Sequence, residues 1–355
     1  MPTPVPAPHD NGVAPPYARI ATEEAFMTPE VHAATRRAIE DHSIDDPGFY
    51  VLQGHYLTST SDRATSIARR LQDLGEERLA DMDATGISMQ VLGLTAPGVQ
   101  MFTPDLAVSL AVSTNDQLAA ACRRHPDRFA GLAAIAPQAP AKAAAELSRA
   151  VNELGLKGGI ISSHTNGEYL DDPKFWDIFE AAQSLGVPIY IHPTTPPANM
   201  IMPFLERGLE GAIYGFAVET SLHMLRLIVG GVFDRFPDLQ IVVGHLGEGL
   251  PFWLYRLDYM HAVSVAAHRY ESMPPLQRKV SEYLQQNFYY TTSGMPWEPS
   301  IMHTRAVLGA ERVMYAMDYP YEFVAEEVAL SDALPLDEGE KRQFFQSIAE
   351  KVFGL

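Results

Sequence analysis

The stretch Gln240-Ile241-Val242-Val243-Gly244-His245-Leu246-Gly247-Glu248-Gly249 decides the fold. A short β-branched run ends abruptly in Gly-His, and a helix-forming segment follows. Apolar residues in unbroken succession mark a strand covered on both faces, as in a parallel sheet. The polar residue at its end is delivered to the rim where the strand leaves the sheet. The layout recurs: Val187-Pro188-Ile189-Tyr190-Ile191 ends in His192-Pro193, and Val313-Met314-Tyr315-Ala316-Met317 ends in Asp318-Tyr319-Pro320. Near the start, Arg19-Ile20-Ala21-Thr22 ends in Glu23-Glu24. Glu, His, His and Asp, each closing a hydrophobic strand, point to one metal site assembled from four places.

Working outward, eight strand candidates begin near Arg19, Ser88, Phe129, Leu156, Val187, Leu239, Phe288 and Arg312. Between most of them lie Ala-, Leu-, Glu- and Arg-rich segments with apolar spacing of three and four, such as 104–124 and 140–154. Strands alternating with helices give a parallel sheet, and eight is the number that closes a (β/α)8 TIM barrel. An open doubly wound sheet is the alternative, but no G-x-G-x-x-G follows the first strand. Two gaps exceed a simple crossover. Residues 27–87 are expected to hold one or two helices plus a Gly- and Tyr-rich loop through His55 and Tyr56; residues 194–239 lead into an apolar helix. These insertions, after strands 1 and 5, would build the pocket. Residues 17–355 read as one domain behind a Pro-rich arm, 1–16.

Composition narrows the partners. The 355 residues are 46% hydrophobic, enough for a large core, and carry a formal charge of −18. That charge argues against nucleic acid or an anionic membrane as partner. An anionic substrate would need a local positive feature, a metal or a few arginines. The one cysteine, Cys122, excludes an internal disulfide and a thiolate zinc cluster. No apolar run reaches the roughly 18 residues of a membrane span, and the arm has neither a basic nor an apolar leader region. A cytoplasmic protein is expected.

Nine of the twelve histidines sit in helical, loop or arm contexts; His164, His192 and His245 follow the fourth, fifth and sixth strands. Carboxylate with imidazole and no thiolate suits a divalent ion of borderline to hard character, Zn²⁺, Mn²⁺ or Mg²⁺. Glu248 could orient His245 or cap the next helix. Arg63 and Arg256 could serve a site or simply pair with helix carboxylates.

These residues resemble the amidohydrolase superfamily, in its branch of non-oxidative aromatic decarboxylases. The likeness rests on RIATEEAF, LADMDATGI, YIHPTT, VVGHLGEGLPFWLYRLDYMH and RVMYAMDYPY, and runs from Tyr17 onward. It implies Glu23, His192 and Asp318 as metal ligands, with His164 lining the site or reaching the metal. It implies His245 orienting substrate or moving protons, with Glu248 behind it, and Asp318 as acid. Arg63 and Arg256 would hold a carboxylate, Arg256 in its own or a neighbouring subunit's site, while Tyr56, Thr95 and Tyr321 line the pocket; Phe216 and Trp297 are further aromatic candidates. Ala25 stands where the wider superfamily commonly has a second histidine, which implies a mononuclear site.

The implied cofactor is one divalent ion, Mn²⁺ before Zn²⁺, with no organic cofactor. The implied reaction is decarboxylation of an ortho-hydroxy aromatic acid, 5-carboxyvanillate first, with resorcylate, dihydroxybenzoate or salicylate as alternatives. A homodimer or higher homo-oligomer is the implied assembly. A lactone or amide hydrolase of the same fold would use nearly the same ligands, and a binding or scaffold protein would bind without turnover.

Overall fold

The computed structural model describes residues 15–355, so nearly all of the Pro-rich arm lies outside it. Every expected strand forms. They are β1 (Ile20–Phe26), β2 (Met89–Leu94), β3 (Phe129–Gly131), β4 (Ala133–Ala134), β5 (Gly159–Ser162), β6 (Ile189–His192), β7 (Ile241–Val243), β8 (Phe288–Thr291) and β9 (Val313–Met314). All pair in parallel, in the order β1-β2-β3 and β4-β5-β6-β7-β8-β9. The third expected strand is split at Leu132, whose N–H turns to Leu92 O (2.8 Å) while Ala133 N–H turns to Gly158 O (2.8 Å), so one chain segment joins the two ladders.

The ring closes between β9 and β1 without a regular ladder. Thr22 Oγ1 donates to Tyr315 O (2.7 Å) and Ala25 N–H to Tyr319 O (2.7 Å). The packing shows the closure independently. Ile20, Val91, Leu132, Ile160, Tyr190, Val242, Tyr289 and Met314 form one buried cluster with Ile348, Ala349 and Phe353 of the C-terminal helix. Their strand neighbours, such as Ile189, Ile191, Ile241, Val243, Phe288 and Tyr290, belong instead to a second cluster shared with the surrounding helices. A strand's side chains alternate faces, so the first cluster is the barrel interior, plugged at the strand-entry end. The architecture is a (β/α)8 barrel.

The expected loop after β1 is a correction. Residues 27–87 hold four helices: Pro29–Glu40, Pro47–Thr58, Asp62–Leu71 and Glu76–Thr85. His55 and Tyr56 lie on the second. Its start was encoded locally, since Asp46 Oδ1 accepts from Phe49 N–H (3.0 Å) and Pro47 occupies the first turn. The segment after β7 also differs. His245, Leu246 and Glu248 take left-handed φ values (52°, 57° and 55°), and the regular helix begins only at Leu254.

Candidate metal centre

Glu23, His192 and Asp318 each offer one ligand atom, and the three atoms lie within 4.8 Å of one another at the strand-exit rim. They come from β1, β6 and the loop after β9. Strict alternation from Ile20 would turn Glu24 inward. The β1–β2 register shifts between Ala21 and Glu24, and it is Glu23 that enters the barrel, because an irregularity of one residue exchanges strand faces.

The carboxylate of Glu23 is held asymmetrically. Its Oε2 accepts from Tyr190 Oη and from Thr291 Oγ1 (2.7 Å), while Oε1 is buried with no hydrogen-bond partner among the described residues. Neither Tyr190 nor Thr291 was anticipated. A signal existed for Tyr190, which stands two residues before His192 and so shares its face. Gly244 has a spatial reason: a Cβ there would lie 2.5 Å from Glu23 Oε2.

His192 is prepared as a ligand. Its Nδ1 lies 2.8 Å from Pro193 O. A carbonyl only accepts, so Nδ1 carries the proton and Nε2 presents its lone pair, 3.5 Å from Glu23 Oε1. Burial lowers the His192 pKa, which favours this neutral form. Burial and the charge of Glu23 push Asp318 well above the usual carboxylate range. An orphaned buried oxygen, a free imidazole lone pair and a second crowded carboxylate fit a divalent cation. The mixed oxygen–nitrogen set suits Mn²⁺ or Zn²⁺.

His245 stands beside this group, its Nε2 3.9 Å from Glu23 Oε1. Its Nδ1 bonds Glu248 Oε1 (2.8 Å), so Glu248 orients the imidazole and caps no helix. Burial alone would lower the His245 pKa, but Glu248, Glu23 and Asp318 overcome it and push it up to about 10. Gly294, after β8, faces both groups: a Cβ there would lie 3.8 Å from Asp318 Oδ2 and from His245 Cδ2.

His164 stands apart from Glu23, His192 and Asp318. It lies outside the ligand group, buried at 1% exposure. Gly167 N–H donates to its Nδ1 (3.1 Å), which leaves the proton on Nε2, bonded to Thr195 O (3.0 Å). No lone pair remains for an ion, so its place is in the wall. Thr95, Tyr321 and Tyr56 do come together. Thr95 Oγ1 and Tyr321 Oη are 2.6 Å apart, and the Tyr56 ring meets Tyr321 edge-on at 5.4 Å.

Arg63 is exposed near Tyr56, whose phenol it influences electrostatically. Arg256 is exposed on the helix Leu254–Ala266, and neither arginine forms an ion pair among the described residues. Trp297 is 64% exposed.

Residues 31–355 match the family model described as amidohydrolase, and the chain belongs to that family. It is 53% identical to the 5-carboxyvanillate decarboxylase of Novosphingobium aromaticivorans, solved in complex with manganese and 4-hydroxy-3-methoxy-5-nitrobenzoic acid. That comparison has a TM-score of 0.94 and covers 96% of this chain and 97% of the other. The 5-carboxyvanillate decarboxylase of Sphingomonas paucimobilis is 40% identical, with a TM-score of 0.89 over 96% of this chain and 99% of that one. Gamma-resorcylate decarboxylase of Rhizobium radiobacter is 33% identical over 346 residues, 95% of this chain and 98% of the relative.

Proposed function

We propose that this protein is a metal-dependent, non-oxidative decarboxylase of an ortho-hydroxy aromatic acid, converting 5-carboxyvanillate to vanillate and CO₂. One observation carries the reading: a Glu23–His192–Asp318 ligand group with an unpartnered inward oxygen, in a chain 53% identical to a manganese-containing decarboxylase. Glu23, His192 and Asp318 would hold the ion, Mn²⁺ before Zn²⁺. When bound, the ion supplies positive charge that favours the phenolate form and orients the ring.

The remaining work falls to the chain. Direct loss of CO₂ would leave an electron pair in an sp² orbital of the ring, where nothing stabilises it. Asp318, when it carries a proton, delivers it to the ring carbon that bears the carboxylate. The C–C bond then breaks, its electron pair restores the aromatic π system, and CO₂ departs. His245, backed by Glu248, orients the substrate and assists proton movement. Arg63 and Arg256 grip the carboxylates, offsetting the net charge of −18. Tyr56, Thr95, Tyr321 and His164 wall the ring.

The same reading makes the protein a homodimer in the cytoplasm. Phe252 and Tyr255, 79% and 82% exposed beside Arg256, are apolar surface suited to a second copy. Arg256 would then complete the partner's site or its own. Among the described residues no helix is long and apolar enough to cross a membrane.

The test follows 5-carboxyvanillate by ultraviolet absorbance, with CO₂ measured in parallel, on manganese-loaded and chelator-stripped protein. Matching loss of substrate and release of CO₂ and vanillate by the loaded protein alone is the expected result. Turnover that survives verified removal of divalent metal sinks the mechanism. Water-dependent ring opening without CO₂ would make the protein a hydrolase instead.

A further inference from the structure

Asp318 is the one metal-site residue that no strand holds. It follows β9 in a left-handed conformation (φ 69°), which costs a non-glycine residue energy even where aspartate tolerates it better than most. Support comes from Glu24. One carboxylate oxygen of Glu24 accepts from Met317 N–H and the other from Tyr319 N–H, both at 3.0 Å, so a single side chain holds the backbone N–H groups of the residues before and after Asp318. Ala25 N–H adds a third tie, to Tyr319 O at 2.7 Å. Glu24 is 1% exposed, and the Arg78 guanidinium behind it donates to Ala25 O (2.7 Å) and lies 4.5 Å from the Tyr319 ring centroid.

We infer that Glu24 is a positioning residue that fixes the backbone of Asp318 and thereby completes the metal site. The inference rests on the proposed metal-dependent reading. Two consecutive residues of β1 divide the labour: Glu23 supplies a ligand, and Glu24 places the partner ligand from the opposite side of the chain. The geometry of both ligands therefore depends on one strand, and the loop after β9 needs no ladder of its own. Groups that orient metal ligands in this way typically change metal affinity about 10–100-fold when altered.

The experiment measures manganese affinity of the stripped full-length protein, by the electron paramagnetic resonance signal of free Mn²⁺, alongside the melting temperature. Glu24→Gln keeps one accepting oxygen and turns an amide N–H₂ against the other backbone donor. The expected result is a folded protein whose Mn²⁺ dissociation constant rises about 10–100-fold. In an Asp318→Asn background the same change should add less than about twofold, because coupled positions are not additive. A folded Glu24→Gln protein that binds Mn²⁺ within twofold of the parent overturns the inference. So does a loss that adds in full to that of Asp318→Asn. If Glu24→Gln does not fold, Glu24→Asp, which keeps the charge but reaches only one of the two N–H groups, is held to the same outcomes. A parent protein that binds no manganese counts against the proposed function rather than against the role of Glu24.

Discussion

The two ends of this barrel are built from the same strands by opposite rules. At the strand-entry end Ile20, Val91, Leu132, Val242 and Met314 meet Ile348 and Phe353 in an apolar plug whose members are at most 7% exposed. At the exit end the same strands present Glu23, His192, His245 and Asp318, with buried polar groups and an orphaned oxygen. Left-handed non-glycine residues gather there too, at Ser163, His245, Leu246, Glu248 and Asp318, each costing on the order of 1–3 kcal/mol. The plug stabilises, and the rim spends part of that stability on geometry. Substitutions at the two ends should therefore separate folding from activity.

The sharpest separation comes from Asp318→Asn. Removing the general acid should lower kcat by about 10²–10⁴-fold in the CO₂ assay, while the metal-free protein melts at or above the parent temperature. Asparagine, like the proton-bearing Asp318 of the metal-free site, puts no charge beside Glu23, and it tolerates left-handed φ. A variant that retains more than a tenth of parental kcat would remove Asp318 from the acid role. Phe353→Ala makes the opposite test. The ring is 3% exposed in the plug, so truncation should cost about 3–5 kcal/mol in denaturant unfolding. Activity per folded molecule at low temperature should stay within about twofold of the parent, and a selective loss of kcat would show that the two ends are mechanically linked.

How much of this contrast could be read from the chain depends on distance along it. The strands were legible because Ile241-Val242-Val243 and its counterparts are apolar without interruption, and the rim residues because each directly ends such a run. The helix holding Tyr56 was hidden behind glycine and tyrosine, although the Asp46-Pro47 start marked it. Tyr190 and Thr291 were missed because their partner, Glu23, lies 167 and 268 residues away. The register shift in β1 leaves no mark in local composition. His164 was placed at the correct rim, but which way an imidazole's lone pairs point is settled by Gly167 N–H and Thr195 O, which only the fold brings near.

Polar groups buried beneath the rim should also give stability a pH dependence that the plug lacks. Glu219, at 0% exposure, has its carboxyl pushed up to about 8 by burial. Below its ordinary value of 4.5, folded and unfolded chains both hold the proton. Between 4.5 and about 8 the unfolded chain has released it while the folded chain keeps it, so stability falls as pH rises and levels off above about 8. His223, lowered to about 3 by burial, acts in the opposite direction below pH 6.5. The difference between parent and Glu219→Gln isolates the first effect: melting temperatures taken from pH 5 to 9 should fall less steeply for the variant. Parallel curves would mean that Glu219 is ionised in the fold.

The smallest effect should come from the pocket wall, where a hydrogen bond is spent on shape alone. Tyr321 Oη and Thr95 Oγ1 are 2.6 Å apart, and Tyr56 meets the Tyr321 ring edge-on. Tyr321→Phe keeps the ring contact and removes one net hydrogen bond, worth about 0.5–1.5 kcal/mol. If the pair only holds the wall, KM for 5-carboxyvanillate should rise a few-fold with kcat nearly unchanged, since what is lost is binding shared by ground and transition states. A fall in kcat of the size expected for Asp318→Asn would instead put the Tyr321 hydroxyl in contact with the reacting carbon. The rim would then hold two acids, and the contrast between its ligands and its walls would have to be redrawn.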